Sequence, residues 1–405
     1  MGVSRDSQAS GGPVRPARPA SEREPQAFDP ADVLTCLRVG EWTGPVMPPI
    51  VQASLFRFET LGELLAAQGR EREVSVYSRG TNPTVRELES ALAALERGEA
   101  AKCCASGLGA IAATLFALLA AGDHVLFVGD IYGPTLGLAE RLADFGVTHD
   151  RCLSSDLAAI EAALRPATKL IYLESPGTMR FELLPIAAIA ALAKARGILT
   201  AIDNTVATPL LQKPLTMGID LALHSLTKYI GGHSDAMGGA VIGSAELIER
   251  IFHRGYMLLG AAMAPHDAML HLRGLMTLPA RLAQQQADAL RIAQYLAAHP
   301  KVRRVFHPAL AGDPLFLPQM PRGHSGLFAA EFDLPDHAAA LALADRLSLF
   351  AKAISWGGVE SLVTTPHRSD PGLGEHRYPR TMLRFSVGLE GADALTADLA
   401  QAFEG

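Results

Sequence analysis

The chain is 405 residues long, 49% hydrophobic and 19% charged, enough to bury a large core and form two domains. Its net charge of −6 gives no footprint for binding nucleic acid or an anionic membrane surface. The longest uncharged apolar run, Leu108–Ala121, falls short of the ~20 residues of a membrane span, and no apolar signal segment opens the chain.

Four cysteines (Cys36, Cys103, Cys104, Cys152) lack the C-x-x-C spacing of a zinc site, and His224 and His233 belong to no HExxH pattern. No metal is expected, and a reduced, cytoplasmic protein is the default expectation.

Residues 1–26 are rich in Ser, Gly, Pro and Arg without an apolar period, and read as a disordered leader. An N-terminal arm and helix are expected over 27–75. Phe28–Asp32 suits a helix start, Val46–Phe58 with its prolines reads as extended, and Leu61–Gly69 as a short helix. The segment Tyr77–Thr84 precedes a periodic helix, Val85–Arg97. Tyr77 and Arg79, two apart on an extended segment, project to one side. A guanidinium suits bidentate phosphate binding, although an exposed loop arginine reads the same way.

Ala105–Ala110 opens an apolar helix whose glycines would let N–H groups approach an anion, or would simply turn the chain. The strand His124–Val128 ends at Gly129–Thr135, where Tyr132 could stack on a flat ring or pack in the turn. Helices follow at Leu136–Phe145 and Leu157–Leu164, then a strand at Leu170–Glu174 and a helix at Pro185–Arg196. The apolar run Gly197–Ile202 ends in Asp203-Asn204-Thr205, and Ile219–Ser225 ends in Leu226-Thr227-Lys228. This alternation predicts an α/β domain over 76–264 with a mostly parallel sheet.

Beyond Gly243 the pattern turns to long helices, Leu247–Leu259 and Pro265–His299. Shorter strands and helices follow, so 265–405 reads as a connecting helix and a smaller α+β domain. Two stretches stand out there, Ala353–Leu362 and Leu383–Glu390. In the second, Arg384 lies within an apolar strand and needs a partner, either a substrate carboxylate or an internal salt bridge.

Ligands of open α/β sheets bind beyond the carboxyl ends of the strands. That places the Asp203 carboxylate and the Lys228 amine at neighbouring strand ends. Pyridoxal phosphate (PLP) needs such a pair: a lysine for its aldehyde and an acid for its ring nitrogen. The hydroxyls of Ser225 and Thr227 beside the lysine could hold its phosphate. Taken alone, Asp203 reads more simply as a cap and Lys228 as a solvated lysine.

Nine strings in order, from about Pro45 to Glu390, decide between these readings. They are YSRGTNPT, ASGLGAI, AGDHVL, YGPT, ESPGT, AIDNTVATP, HSLTKYIGGHSDAMGG, SWGGVESL and LRFSVGLE. Together they closely resemble the cystathionine-type PLP enzymes of transsulfuration, the Cys/Met-metabolism family. The resemblance implies the PLP-dependent transferase-like fold (aspartate aminotransferase fold type I) and a homotetramer built from catalytic dimers. It implies Lys228 as the Schiff-base lysine and catalytic base, Asp203 as partner of the ring nitrogen, and Tyr132 stacked on the ring with a part in catalysis. The Gly107 and Leu108 amides and the Ser225 and Thr227 hydroxyls would hold the phosphate. Tyr77 and Arg79 would reach the phosphate of a neighbouring subunit. Arg384, supported by Ser355, would bind the α-carboxylate of an amino-acid substrate, with Tyr77 and Trp356 also lining its site.

Within the family, Trp356 and the GGHSDAMGG string resemble the β-lyases, and Pro134 stands where methionine γ-lyases typically carry cysteine. Gly80, Ile354 and Val359 depart from the enterobacterial β-lyase pattern. The expected reaction is β-elimination of L-cystathionine to homocysteine, pyruvate and ammonia. The alternative is γ-elimination or γ-replacement, as in cystathionine γ-lyase or γ-synthase.

Overall fold

The computed structural model describes residues 26–38, 45–366 and 378–404. The expected leader lies outside them except for Gln26.

Seven strands form the larger sheet: β1 (Ala100–Cys104), β2 (His124–Gly129), β3 (Thr148–Cys152), β4 (Thr168–Glu174), β5 (Leu199–Asp203), β6 (Leu221–Ser225) and β7 (Gly239–Gly243). Their order is β1-β7-β6-β5-β4-β2-β3. The run from β6 to β3 is parallel, while β7 is antiparallel to both its neighbours. A parallel strand covered on both faces must be apolar throughout. In β2, Val125 and Phe127 join one buried cluster while Leu126 and Val128 join the cluster on the opposite face.

The reading of the sequence anticipated β2, β4, β5 and β6 but not β1, β3 or β7. β3 is an edge strand with a polar sequence, Thr-His-Asp-Arg-Cys, of which Cys152 alone is buried. β1 carries a lysine at its centre, and β7 is a short run between two glycines.

The helices that precede and flank this sheet include α1 (Pro30–Leu37), α2 (Leu61–Ala67), α3 (Pro83–Glu96), α4 (Gly107–Leu118), α5 (Gly133–Ala143), α6 (Leu157–Ala162) and α7 (Ile186–Ala195). Their starts are chemically marked. Thr60 and Glu63 form a capping box on α2, Asn82 caps α3 ahead of Pro83, and Ser106 caps α4. The expected helix Leu247–Leu259 is instead Ala245–Ile251, a π-helical turn at Phe252–Tyr256, and Met257–Leu259.

The N-terminal arm is extended, as its prolines require, and is stitched to the start of α3. Ser78 N–H donates to Ser54 O at 2.9 Å, Asn82 Nδ2 to Val51 O at 2.9 Å, and Thr84 Oγ1 to Pro49 O at 3.0 Å.

The helix Pro265–Ala297 joins two cores. Its Leu272, Leu275, Leu278 and Leu282 pack in the cluster that includes α3. Its Ala289, Ile292, Ala293 and Leu296 pack under the smaller sheet. That sheet contains β8 (Val302–Phe306), β9 (Leu327–Phe332), β10 (Ala351–Lys352), β11 (Leu362–Thr364) and β12 (Met382–Ser386) in the order β10-β11-β12-β9-β8. β12 is central and antiparallel to both neighbours, so Arg384 is carried on its best-supported strand.

Candidate active site

Neighbouring strands β4, β5 and β6 are in register through Glu174, Asp203 and Leu223, so their carboxyl ends make one ledge. Asp203 ends β5. Its Oδ1 accepts the Thr205 N–H at 3.0 Å and the Thr205 hydroxyl, and that hydroxyl oxygen in turn accepts the Ser225 N–H at 2.8 Å. One threonine thus ties the ends of β5 and β6 together. Asp203 Oδ2 has no protein donor among the described residues. Burial raises the Asp203 pKa, opposed by the Thr205 bonds and then by His224 and Lys228. A desolvated carboxylate with one oxygen open is suited to a cationic ring nitrogen.

The N-terminus of α4 approaches the end of β6. Ser106 Oγ accepts the Gly109 N–H at 3.0 Å, leaving the Gly107 and Leu108 N–H groups without partners among the described residues. A Cβ on Gly107 would lie 2.8 Å from Ser225 Cβ, so only glycine lets this turn sit against the Ser225 hydroxyl. Thr227 Oγ1 is nearby in sequence and is held by Gly238, accepting its N–H at 3.1 Å. Free N–H groups, a helix dipole and a hydroxyl form a cradle of the chemistry a phosphate needs.

Lys228 follows directly. Its Nζ donates to Ser355 Oγ at 2.6 Å and lies 5.5 Å from the centre of the Trp356 ring. Burial and the Arg384 charge lower its pKa to about 8, against the pull of Asp203. Near neutral pH it therefore has a usable share of nucleophilic amine. Ser355 adopts φ 93°, a strained backbone for a residue with a side chain, and its carbonyl accepts Arg384 Nη2 at 3.0 Å. Arg384 is 6% exposed, and burial lowers its pKa to about 10. It forms no ion pair with a described carboxylate, so the internal salt bridge considered from the sequence is absent among the described residues. A desolvated guanidinium with donors to spare calls for an external carboxylate.

Tyr132 stands one strand away from this ledge, before α5. Its N–H donates to Glu174 Oε2 at 2.7 Å, and the residue is 50% exposed. Trp356 is buried, its ring centre 5.5 Å from that of Tyr229. Tyr77 and Arg79 are exposed and contact each other, the guanidinium 5.5 Å from the tyrosine ring centre. No contact among the described residues joins them to the Lys228 cluster.

Several contributors escaped the sequence reading. Thr205 had a signal, since an aspartate accepting the N–H two residues on is an ordinary turn device in a string such as Asp-Asn-Thr. Glu96 had none. Its buried carboxylate accepts Asn204 Nδ2 at 2.7 Å and contacts His224 Nε2 at 2.5 Å, gripping the residue after Asp203 and the residue before Ser225. The Asp130–Tyr378 hydrogen bond, at 2.6 Å, likewise joins distant parts of the chain. Among the described residues no cluster of His, Cys, Asp or Glu is arranged to hold a metal, and no helix is long and apolar enough to cross a membrane.

Residues 36–404 match the family model for the Cys/Met metabolism PLP-dependent enzymes. An L-methionine γ-lyase of Pseudomonas putida is 39% identical, over 89% of this chain and 93% of that protein. A cystathionine γ-synthase of Mycobacterium leprae and a cystathionine β-lyase of Bordetella avium are each 37% identical, over 89% of this chain and 92% of theirs. A Campylobacter jejuni structure, described as an O-acetylhomoserine (thiol)-lyase and carrying N'-pyridoxyl-lysine-5'-monophosphate, superposes with a TM-score of 0.85. It is 30% identical and covers 92% of this chain and 100% of its own. The open Asp203 oxygen, the α4 cradle and the amine of Lys228 meet the three chemical demands of PLP. The chain belongs to the Cys/Met metabolism PLP-dependent enzyme family, and PLP is its cofactor.

Proposed function

We propose that this enzyme is a carbon–sulfur lyase that cleaves L-cystathionine by β-elimination, giving homocysteine, pyruvate and ammonia. The observation that carries an amino-acid substrate is the shared Ser355. Its carbonyl holds Arg384 and its hydroxyl holds the Lys228 amine, so a carboxylate docked on Arg384 brings the adjacent Cα toward Lys228. Bound PLP supplies an electron sink that lowers the cost of negative charge at Cα.

The chain's own groups take the remaining roles. Lys228 Nζ would hold PLP through its aldehyde and, when free, would accept the Cα proton of the substrate, a role suited to its depressed pKa. Asp203 keeps a proton on the ring nitrogen, with Thr205 aiming its carboxylate. The Gly107 and Leu108 amides, with the Ser225 and Thr227 hydroxyls, bind the phosphate. Tyr132 would lie against the ring and serve as a further catalytic group beside Lys228. Trp356, beside the lysine, makes an apolar wall near the reacting carbons. Tyr77 and Arg79 complete the phosphate site of a neighbouring chain, in a homotetramer of catalytic dimers located in the cytoplasm.

Trp356 and the GGHSDAMGG string favour β-elimination, while Gly80 and Val359 favour a γ-type reaction. Identities of 37–39% to relatives of three activities do not discriminate. Product analysis does. Incubating the PLP-loaded enzyme with L-cystathionine is expected to yield homocysteine with pyruvate. Cysteine with 2-oxobutyrate would replace this reading by γ-elimination.

A further inference from the structure

Lys102 lies midway along β1 and is 1% exposed. Its Nζ donates to Gly80 O at 2.8 Å and pairs with Glu89 Oε1 at 3.0 Å. The rings of Tyr256 and Phe252 flank it, their centres 4.5 and 5.3 Å away. Glu89, on α3, is itself fixed by the Cys103 N–H at 3.0 Å.

A buried ion pair is a weak stabiliser, since apolar side chains of similar size often do as well. Stability alone therefore gives little reason for a lysine inside this strand. What the amine does that an apolar chain could not is grip the Gly80 carbonyl. Gly80 closes the turn that begins at Tyr77, its N–H donating to Tyr77 O at 2.9 Å. Tyr77 and Arg79 project from that turn into solvent. At its other end β1 runs directly into Ser106 and the α4 cradle.

We propose that Lys102 is a positioning residue for the Tyr77–Arg79 turn, setting from β1 the reach of those two side chains toward a PLP phosphate on a neighbouring chain. One five-residue strand would then index both halves of a composite phosphate site: the α4 amides of its own chain and the arm offered to the next. The inference rests on the reading of Arg79 as a phosphate ligand.

The test measures PLP dissociation from the holoenzyme by visible absorbance. Removing only the lysine would strand the Glu89 carboxylate, so the variant is K102M/E89Q, compared with E89Q alone. Methionine suits the aromatic surroundings, and glutamine still accepts the Cys103 N–H. Loss of one charge-assisted bond predicts PLP affinity lower by about tenfold or more in K102M/E89Q, with R79A reduced at least as far. Unchanged affinity in K102M/E89Q with a weakened R79A would overturn the role of Lys102 and leave the phosphate reading standing. Unchanged affinity in both would overturn the phosphate reading and the inference with it.

Direction is tested in hybrids. At a limiting PLP concentration, where K102M/E89Q alone keeps less than about a tenth of wild-type activity, mixing it with K228A chains should raise activity toward about a quarter of wild type, because the intact Lys228 then faces an undamaged arm. Absence of that gain, where R79A mixed with K228A does recover, would place the defect within the chain's own site and refute the proposal.

Discussion

At the scale of single residues, the site works by withholding water from charges and supplying each with one intended partner. Lys228 is the clearest case. With its pKa lowered to about 8, its neutral share is roughly a tenth at pH 7 and half at pH 8. If Lys228 is the lysine that binds PLP, capture by the apoprotein needs its neutral amine, so the rate should climb nearly in proportion to hydroxide up to about pH 8 and then level. In R384M the rise should move to higher pH, because the Arg384 charge is one of the two causes that lower the lysine. A capture rate flat from pH 6 to 9 would refute the shift. Thr205 makes a second prediction. T205V removes the hydroxyl that joins Asp203 to the Ser225 N–H, and PLP affinity should fall about 10- to 100-fold, the worth of a bond to a charged group. Titration of the apoprotein with PLP measures it. Asp203 and Arg384 were legible in the sequence because each is a charged residue ending or interrupting an apolar strand, and Lys228 because it follows shortly after one. Glu96 was not, since the partner that explains it, His224, lies 128 residues away.

Elements were legible where their pattern matched their burial. The apolar strands β2, β4, β5 and β6 announced themselves; β3 did not, because an edge strand paired on one side has no need of an apolar sequence. The long helix was legible by its period, but its contacts were not. Gly274 in that helix lies so close to the loop after Lys228 that an added Cβ would stand 2.2 Å from Ile230 O and 2.4 Å from Gly231 O. Helix propensity favours Gly→Ala by ~1 kcal/mol. Here G274A should instead destabilise the protein by roughly 1–3 kcal/mol, because the helix and the lysine loop must separate. Thermal unfolding of the apoprotein decides the sign, and a raised or unchanged Tm would show that the loop yields freely.

At the scale of the whole molecule, one chain does not assemble every residue that the motifs nominate. Tyr77 and Arg79 stay on the surface, carried by an arm and α2 that also expose Val46, Leu55, Leu61 and Leu65. An apolar surface gathered beside exposed side chains that a binding motif nominates is the mark of an interaction face. Spacing along the chain says nothing of which copy a residue serves; the expectation that Tyr77 and Arg79 reach a neighbouring subunit comes from the family resemblance of the YSRGTNPT string alone. If Arg79 serves a neighbour, two dead variants complement each other. In a hybrid dimer of K228A and R79A, the chain with an intact Lys228 receives an intact Arg79 from its partner, while the second site lacks both. Random assortment in closed twofold dimers should therefore restore about a quarter of wild-type activity. The measurement is activity after co-refolding equal amounts of the two chains, with distinguishable tags proving that hybrids form. Hybrids without activity would mean that Arg79 acts within its own chain, and the composite site would have to be abandoned.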